Sequence, residues 1–455
     1  MRPLLHFYPL ILFPLLSFGQ VTFQRSYDLG ATESACTVVQ TFDKGYAICG
    51  IKSGGSNPYA FLLRTNEAGD TLWSKIFPDY LIFGERIMQE TSDSGFIICG
   101  NDDSVFLIKT DKNGDIRWTS HLPGKSVTAV IQTADRGFIL SVNGTTTGLV
   151  KTDVLGNLLW QKSYRISGSD YSGAAKSILQ THDRGYVLTG TCDPLTNPEL
   201  YEISAFLLKT SENGDSIWLK KYHSDNTLIK GFSVCQTADE GYEITGQTEV
   251  IHYNATIRGY LIRTDVNGDT LWTRRTALYR TWLQASAIAY DHNIVSCGFM
   301  DSPLPGGGLS IVLNKEDLNG EFLFSRAFPV GYYGNSVSAT SDHGFIIAGE
   351  KDGNIILIKT DSSGRADPAG MSENRESNCL LLFPNPTKGV FRINLSGNVK
   401  SIEITDVSGR TVYRQPFVKN PPAFLDIDLS KKAKGTYLVS LKTKNGTQSG
   451  KLVVE

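Results

Sequence analysis

The chain has 455 residues and carries 44 Lys and Arg against 46 Asp and Glu, so its formal net charge is −2. This balance is not typical of a nucleic-acid-binding protein, and no basic stripe with interleaved aromatic residues appears in the sequence, so no nucleic-acid partner is expected. After the N-terminal leader, no stretch approaches the roughly 18 apolar residues of a membrane-spanning helix, so no transmembrane segment is expected in the mature chain.

Residues 1–19 have the composition of a secretory signal peptide. They contain one Arg, a mainly apolar run over residues 4–18, and the small residues Ser17 and Gly19 before an expected cut in front of Gln20. The mature protein is therefore expected to leave the cytoplasm. Because Gln20 and not Cys follows the expected cut, a lipoprotein anchor is not predicted.

A two-part sequence motif recurs seven times after the leader. Its first half reads QTFDKGYAICG at 40–50 in the first copy and ATSDHGFIIAG at 339–349 in the last copy. Its second half reads RTNEAGDTLW at 64–73 in the first copy. The mean spacing of about 50 residues suits a four-stranded propeller blade. We therefore predict an all-β fold with a seven-bladed β-propeller over residues 20–365.

Each repeat divides into four short segments rich in Val, Ile, Phe, Tyr and Trp, which predict strands a, b, c and d of one blade. The seventh copy stops near residue 368 without its d strand. The segment TFQRSY at 22–27 matches the d strand QKSY that follows Trp160. We therefore expect the N-terminal strand to complete the last blade and close the ring, which removes open strand edges.

The turns between strands c and d carry the phrase Thr-Asp-x-Asn-Gly-Asp in two repeats, at 110–115 and 264–269. Clustered carboxylates and a Gly are typical of calcium loops, but the spaced ligands of an EF-hand are missing. The last Asp also changes to Asn157, Glu321 or Arg365 in other repeats. A hairpin role is therefore favoured, and neither a metal site nor a cofactor is predicted.

A Trp recurs in strand d of five repeats, and Phe324 replaces it in a sixth. This regular placement favours packing between blades over ligand stacking. Sialidase Asp-boxes and quinoprotein dehydrogenase propellers offer enzyme analogies, but the first differ in spacing and the second often carry a vicinal Cys pair that is absent here. No metal-binding His pair, HExxH or GxSxG motif is present, so no catalytic residue is predicted.

Three of the seven cysteines, Cys49, Cys99 and Cys297, occupy one repeat position that small residues fill in the other copies. We expect these three to be packed free thiols. A disulfide bond remains open for the other four, which are Cys36, Cys192, Cys235 and Cys379.

The candidate ligand site is expected where strand a begins, at the mouth of the central channel. In an up-and-down blade the a–b and c–d turns share one face, and the longer connections lie on the opposite face, where loops commonly carry recognition. Aligning the repeats places Trp282, Tyr333 and Lys230 at one position on this variable face. The smaller residues at that position in the other copies are Ser34, Gly84, Ser126 and Ala174.

Exposed Trp and Tyr often dominate recognition, which favours Trp282 and Tyr333 as ligand contacts. The alternative is that both side chains plug the channel. Further tyrosines expected on the same face are Tyr171, Tyr201, Tyr253, Tyr279 and Tyr332.

The C-terminal part differs from the repeats. Residues 366–378 are polar, as in a linker, and seven short apolar segments over 379–455 predict a small Ig-like β-sandwich. This part contains FPNPTKG at 383–389, IEITDVSGRTV at 402–412 and GTYLVSLKT at 435–443, and it ends in KLVVE. In combination these motifs resemble the type A sorting domain of the type IX secretion system of the Bacteroidota.

The resemblance implies that this domain directs the folded protein through the periplasm to an outer-membrane translocon, after which a surface sortase commonly removes it. It thus implies the translocon and the sortase as partners, and delivery to the outer-membrane surface or the medium. The alternative is a generic Ig-like ligand-binding module. The residues that match the motifs are Pro384, Asn385, Pro386, Gly389, Asp406, Gly409, Gly435, Tyr437 and Lys451.

The sequence as a whole predicts an exported propeller that binds a surface protein or a glycan. One alternative is a hydrolase or lyase that acts on polysaccharide through acidic residues at the channel mouth. Another is a purely structural envelope protein, since a fold does not fix a function.

Overall fold

In the computed structural model each repeat forms one four-stranded antiparallel sheet, and six of these sheets keep their strands in chain order. Strand β1 (Phe23–Tyr27) precedes the repeats. Blades one to three contain β2 (Thr32–Gln40), β3 (Tyr46–Ser53), β4 (Pro58–Thr65), β5 (Thr71–Phe77), β6 (Met88–Glu90), β7 (Phe96–Asn101), β8 (Val105–Thr110), β9 (Ile116–Leu122), β10 (Ser126–Gln132), β11 (Phe138–Asn143), β12 (Thr147–Thr152) and β13 (Leu158–Tyr164). Blades four to seven contain β14 (Ala174–Gln180), β15 (Tyr186–Cys192), β16 (Ser204–Thr210), β17 (Ser216–Tyr222), β18 (Thr227–Gln236), β19 (Tyr242–Val250), β20 (Ile257–Thr264), β21 (Thr270–Arg275), β22 (Thr281–Ile288), β23 (Ile294–Asp301), β24 (Leu309–Glu316), β25 (Phe322–Phe328), β26 (Tyr333–Ala339), β27 (Phe345–Lys351) and β28 (Asn354–Thr360).

The described residues contain no helix, which confirms the all-β prediction, and the seven sheets are those of a seven-bladed propeller. The chain divides into two units, Met1–Gly370 and Met371–Glu455. The structure describes residues 20–366 and 382–454, except for 54–57, 79, 81, 83, 85, 102–103, 145, 167–173, 193–202, 225–226, 251–256, 277–279, 302–307, 330, 384–386, 396–398, 408, 418–423 and 444–445.

The ring closes through its N-terminal strand. The seventh sheet has the order β1-β28-β27-β26, so the first strand of the chain is the outer strand of the last blade. Phe23 lies opposite Lys359 and Tyr27 lies opposite Ile355 in this antiparallel pair. The expected closure is therefore confirmed.

The recurrent Trp of strand d packs between blades, as expected. The ring of Trp73 in blade one lies 6.4 Å from that of Phe96 in blade two, and Trp118 lies 5.8 Å from Phe138 in the next pair. Gly114 has a φ of 78° and lies directly against Trp73, where an added Cβ would come within 2.7 Å of the indole. The turn glycine is therefore required both by its backbone conformation and by this contact.

A buried cation in strand c holds each a–b turn. In blade two, Lys109 Nζ lies 2.9 Å from Asp93 Oδ2 and donates to the carbonyl of Thr110, while Gly95 N also donates to Asp93. Burial raises the pKa of Asp93, but hydrogen bonds from Thr91 and Lys109 outweigh it, so the pKa lies below its ordinary value. The same pair recurs in all seven blades, as Asp43–Arg64, Asp93–Lys109, Asp135–Lys151, Asp183–Lys209, Asp239–Arg263, Asp291–Lys315 and Asp342–Lys359.

The cysteines of the repeat position are packed in the core. Cys49, Cys99 and Cys297 are fully buried free thiols, as expected. Burial raises the pKa of each thiol, which keeps it uncharged. Cys36, Cys192 and Cys235 are thiols as well, and Cys379 lies outside the described residues.

The C-terminal unit contains two sheets, one of three strands and one of four. Side chains of both sheets, among them Phe391, Ile402 and Val439, form one buried core, in agreement with the predicted small sandwich. Its strands are β29 (Leu382–Phe383), β30 (Val390–Asn394), β31 (Val399–Asp406), β32 (Thr411–Pro416), β33 (Phe424–Asp428), β34 (Gly435–Thr443) and β35 (Gly446–Val454).

Candidate functional site

The backbone register supports the alignment that placed the candidate ligand contacts at one position. Trp282 in β22 pairs with Phe299, and Tyr333 in β26 pairs with Glu350, in each case just before a β-bulge in strand a. Lys230 in β18 pairs with Gln247 at the same distance from its bulge. All three residues therefore lie at the same distance before the bulge in strand a of their blades.

Trp282, Phe299 and Tyr333 form an aromatic group, called here the mouth cluster. The rings of Trp282 and Phe299 are stacked, with centroids 4.8 Å apart and planes at 14°. Tyr333 of the next blade meets Phe299 edge to face at 4.8 Å. Tyr333 keeps 36% of its surface exposed, and the other two rings are half-buried. The structure thus joins the two predicted aromatics through a third that sequence reasoning missed.

Tyr332 borders the mouth cluster and has polar partners. Its hydroxyl donates to Asp352 Oδ1 at 2.8 Å, and Lys351 Nζ lies 6.0 Å from its ring centroid. The hydrogen bond to Asp352 and the charge of that carboxylate raise the pKa of Tyr332. Asp352 has a φ of 52° in the turn between β27 and β28. This turn therefore adds one acid and one base beside the aromatic group.

The structure does not join the remaining predicted residues to this group. Lys230 is half-buried, and within the described part of the chain no hydrogen bond or cation–π contact links it to the mouth cluster. The other tyrosines lie outside the described residues, namely Tyr171, Tyr201, Tyr253 and Tyr279.

A cavity of about 350 Å³ lies in the central channel. Its lining comes from the C-terminal halves of the a strands, which lead into the a–b turns, and it includes neither Trp282 nor Tyr333. Arg86 crosses this space, because its Nη2 donates to Ser233 Oγ of blade five and to the carbonyl of Ser286 of blade six, both at 2.8 Å. Sequence reasoning did not identify the cavity or Arg86.

The c–d turns form hairpins, as expected. Asp111 Oδ1 accepts from the N–H groups of Asn113 and Asp115, which closes the turn. Asp115 then pairs at 2.8 Å with Lys75 of the preceding blade. Among the described residues, no group of three or more His, Cys, Asp or Glu side chains is placed to hold a metal ion.

The matched residues of the C-terminal unit shape its turns and core. Asp406 Oδ1 accepts from the N–H of Arg410, with Gly409 at a φ of 82° in the same turn. Gly389 has a φ of 121°, and an added Cβ there would come within 2.5 Å of Ser430. Gly435 is also in the positive-φ region, at 148°.

Tyr437 is buried in the sandwich core, and its hydroxyl donates to the carbonyl of Ala433. Lys451 lies in β35, where its backbone pairs with Leu438 of β34. The proline motif lies outside the described residues, namely Pro384, Asn385 and Pro386.

Comparison with known families decides the nature of this unit. Residues 381–455 match the model of the secretion system C-terminal sorting domain. This segment is a sorting domain of the type IX secretion system. The sorting domain interacts with the secretion machinery, and the protein is exported to the cell surface or secreted. No helix among the described residues is long and apolar enough to cross a membrane.

No curated protein sequence matches the chain. Solved structures with a similar backbone include the WD40 propeller domain of Doa1, at 13% identity and a TM-score of 0.48, covering 76% of this chain and 99% of that one. The WD40 domain of Neurospora crassa Pan2 is similar at 10% identity and a TM-score of 0.46, covering 72% and 89%. A protein of unknown function from Bacteroides caccae is similar at 10% identity and a TM-score of 0.41, covering 63% and 96%.

Proposed function

We propose that the exported propeller is a binding protein whose ligand, a surface protein or a glycan, contacts the mouth cluster. The supporting observation is the joining of Trp282, Phe299 and Tyr333 across two neighbouring blades, with Tyr333 exposed. Because packing already orders these rings, they lose little side-chain entropy when a ligand binds. Trp and Tyr in such positions frequently dominate affinity, at about 2 kcal/mol each.

The polar groups beside the mouth cluster suit a ligand with hydrogen-bonding groups. Asp352 and the hydroxyl of Tyr332 form one hydrogen-bonded pair, and Lys351 lies over the same tyrosine ring. Binding sites commonly combine aromatic surface with a few such polar groups, which fix the orientation of the ligand. A sugar and a polar protein loop both have this chemistry.

The test is a binding screen of the mature protein against a glycan array and against outer-membrane proteins. The double variant Trp282→Ala with Tyr333→Ala should lower the affinity for the ligand found by at least about tenfold. The matched control is Phe42→Ala with Tyr290→Ala, which removes two aromatics that are 68% and 70% exposed on the a–b turn face. Unchanged binding by the double variant would contradict the proposal and favour the alternative, in which Trp282 and Tyr333 plug the channel.

The same screen separates the other functional classes. Cleavage of a bound polysaccharide would favour a hydrolase or lyase, and failure to bind any glycan or protein would favour a structural envelope role. For export we propose the domain limits given by the sequence, with a signal peptide at 1–19 and a linker at 366–378. The translocon and a surface sortase that removes the sorting domain are the proposed partners.

A further inference from the structure

Arg86 occupies a repeat position that does not require a cation. It lies two residues before strand a of blade two (β6), and its backbone carbonyl accepts from Val130 N of blade three. In the other blades the register shifts at the same position. The residues found there are Cys36, Thr128, Lys176, Phe232, Gln284 and Asn335.

The guanidinium of Arg86 is the one charged group among the described residues that line the channel cavity. No carboxylate of the described part of the chain lies within ion-pair distance of it, and its oxygen acceptors are Ser233 Oγ and the Ser286 carbonyl. Both bonds start from Nη2. A guanidinium has five N–H donors, and with Ser233, Ser286 and the Cys235 thiol as partners it keeps two for another acceptor.

The walls of the cavity strengthen the attraction of an anion to this charge. Val39, Ile131, Leu179 and Phe232, which are half-buried, line it from four different blades. Charges interact more strongly beside such apolar walls than in bulk water. Gln284, which holds the equivalent repeat position in blade six and also lines the cavity, supplies neutral hydrogen-bonding groups.

We propose that the channel cavity is a second binding site, separate from the mouth cluster, for a small organic carboxylate with an apolar body. Arg86 anchors the carboxylate through its remaining N–H donors, and the apolar walls contact the apolar part. The volume of about 350 Å³ lies at the small end of the range for ligand sites, which suits a small molecule and excludes a folded partner.

The experiment is calorimetric titration of the mature full-length protein with hexanoate, with hexanamide as the neutral isostere and sulfate as an anion without an apolar body. Hexanoate should bind, and hexanamide and sulfate should bind at least about tenfold more weakly. Arg86→Gln should lower the hexanoate affinity by at least about tenfold, whereas Arg86→Lys, which keeps the charge, should lose less. Arg117→Gln is the matched control, since it removes an exposed Arg from the outer strand of the same blade.

A second variant keeps the test valid if Arg86→Gln does not fold. Gln284→Glu places a carboxylate in the cavity and leaves Arg86 in place. The new carboxylate should pair with the Arg86 guanidinium, so hexanoate binding should be abolished and the melting temperature should rise. Equal binding of hexanoate and hexanamide, or unchanged hexanoate affinity of Gln284→Glu, would overturn the proposal. Equal binding of sulfate and hexanoate would overturn the role of the apolar walls.

Discussion

Phe23 and Tyr46 pack edge to face between the last blade and the first, with ring centroids 5.9 Å apart. Trp73 and Phe96 make the same contact between blades one and two. Gly69 of blade one also lies against Phe23, as Gly114 lies against Trp73. The seam at which the ring closes is therefore built like the other blade junctions, although its two halves come from distant parts of the sequence.

Replacing Phe23 by Ala should destabilise the propeller by about 2 kcal/mol, because it removes the half-buried ring of the closing contact. Urea unfolding measures the loss. Gln24→Ala, at an exposed position of the same strand, is the matched control and should change little. Removing residues 20–30 should do more, since it exposes the edge of β28 and favours aggregation. A truncated protein that melts like the intact one would contradict closure through β1.

The buried cation that holds an a–b turn should contribute more to the free energy of unfolding than a surface cation. Lys359 is 1% exposed and pairs with Asp342 at 2.7 Å, so Lys359→Met should cost about 2 kcal/mol by leaving that carboxylate without its partner. Lys75 is 40% exposed, and Lys75→Met, which breaks its pair with Asp115, should cost less than about 1 kcal/mol. Both values follow from chemical denaturation, and equal costs would argue against the role assigned to the turn network.

Two carboxyl groups, Glu243 in β19 and Glu316 in β24, are fully buried. Burial, followed by repulsion from Glu316, raises the pKa of Glu243, and burial raises the pKa of Glu316 from 4.5 to about 8. The folded state thus holds protons that the unfolded state releases, so stability should fall as the pH rises from about 4.5 to about 8.

Glu316→Gln should therefore stabilise the protein at pH 9 and flatten this dependence, as followed by denaturation at pH 6 and pH 9. A parent protein that is equally stable at both pH values would show that the pair is not protonated in the folded state.

Glu90 replaces a glutamine that other blades use to hold the preceding a–b turn. Its Oε2 accepts from Phe42 N at 2.9 Å, just as Gln132 Oε1 accepts from Ser92 N at 2.8 Å. Burial raises the pKa of Glu90 from 4.5 to about 7, so stability should fall as the pH rises from about 4.5 to about 7 and stay lower above it. Glu90→Gln should raise the melting temperature at pH 8 and leave it nearly unchanged at pH 5. The exposed Glu240→Gln is the control, and equal shifts for both variants would refute the assignment.

Export should depend on the end of the chain. Leu452 and Val454 of β35 are buried in the sorting-domain core, so deleting residues 451–455 removes part of that core and its paired strand. The deletion should leave a folded propeller in the periplasm, as judged by protease resistance and cell fractionation. A deletion of the same length within the expected linker, residues 370–374, is the control. Normal surface or medium levels of the 451–455 deletion would contradict dependence on this motif.

The period of the repeat was enough to predict the blades and the closing strand, because each strand recurs with the same turn chemistry. Phe23 was placed correctly since QRSY at 24–27 matches QKSY after Trp160. The turn cations were not recognised, although a Lys or Arg precedes the second-half Thr or Glu in every copy, because burial of a charge is not visible in a pattern of polar residues.

The contacts inside the channel were harder to predict from the sequence. Phe299 follows the blade glycine in one repeat, where other copies have residues such as Asn101 or Thr191, and this difference is the signal that sequence reasoning overlooked. Arg86 gave no comparable signal, since its contacts with Ser233 and Ser286 cross the ring between non-adjacent blades. Contacts of that kind depend on the curvature of the whole ring, which a repeat alignment does not contain.

The pairing of Phe23 with Lys359 also sets an order of folding. A chain that emerges from its N-terminus holds β1 without its partner until residues 354–360 are present, so the closing step follows nearly all propeller synthesis. Contacts so distant in sequence form slowly, and the unpaired edge stays open to other chains during that interval. The last blade is thus the stage at which a nascent molecule is most exposed to misassembly and to chaperones.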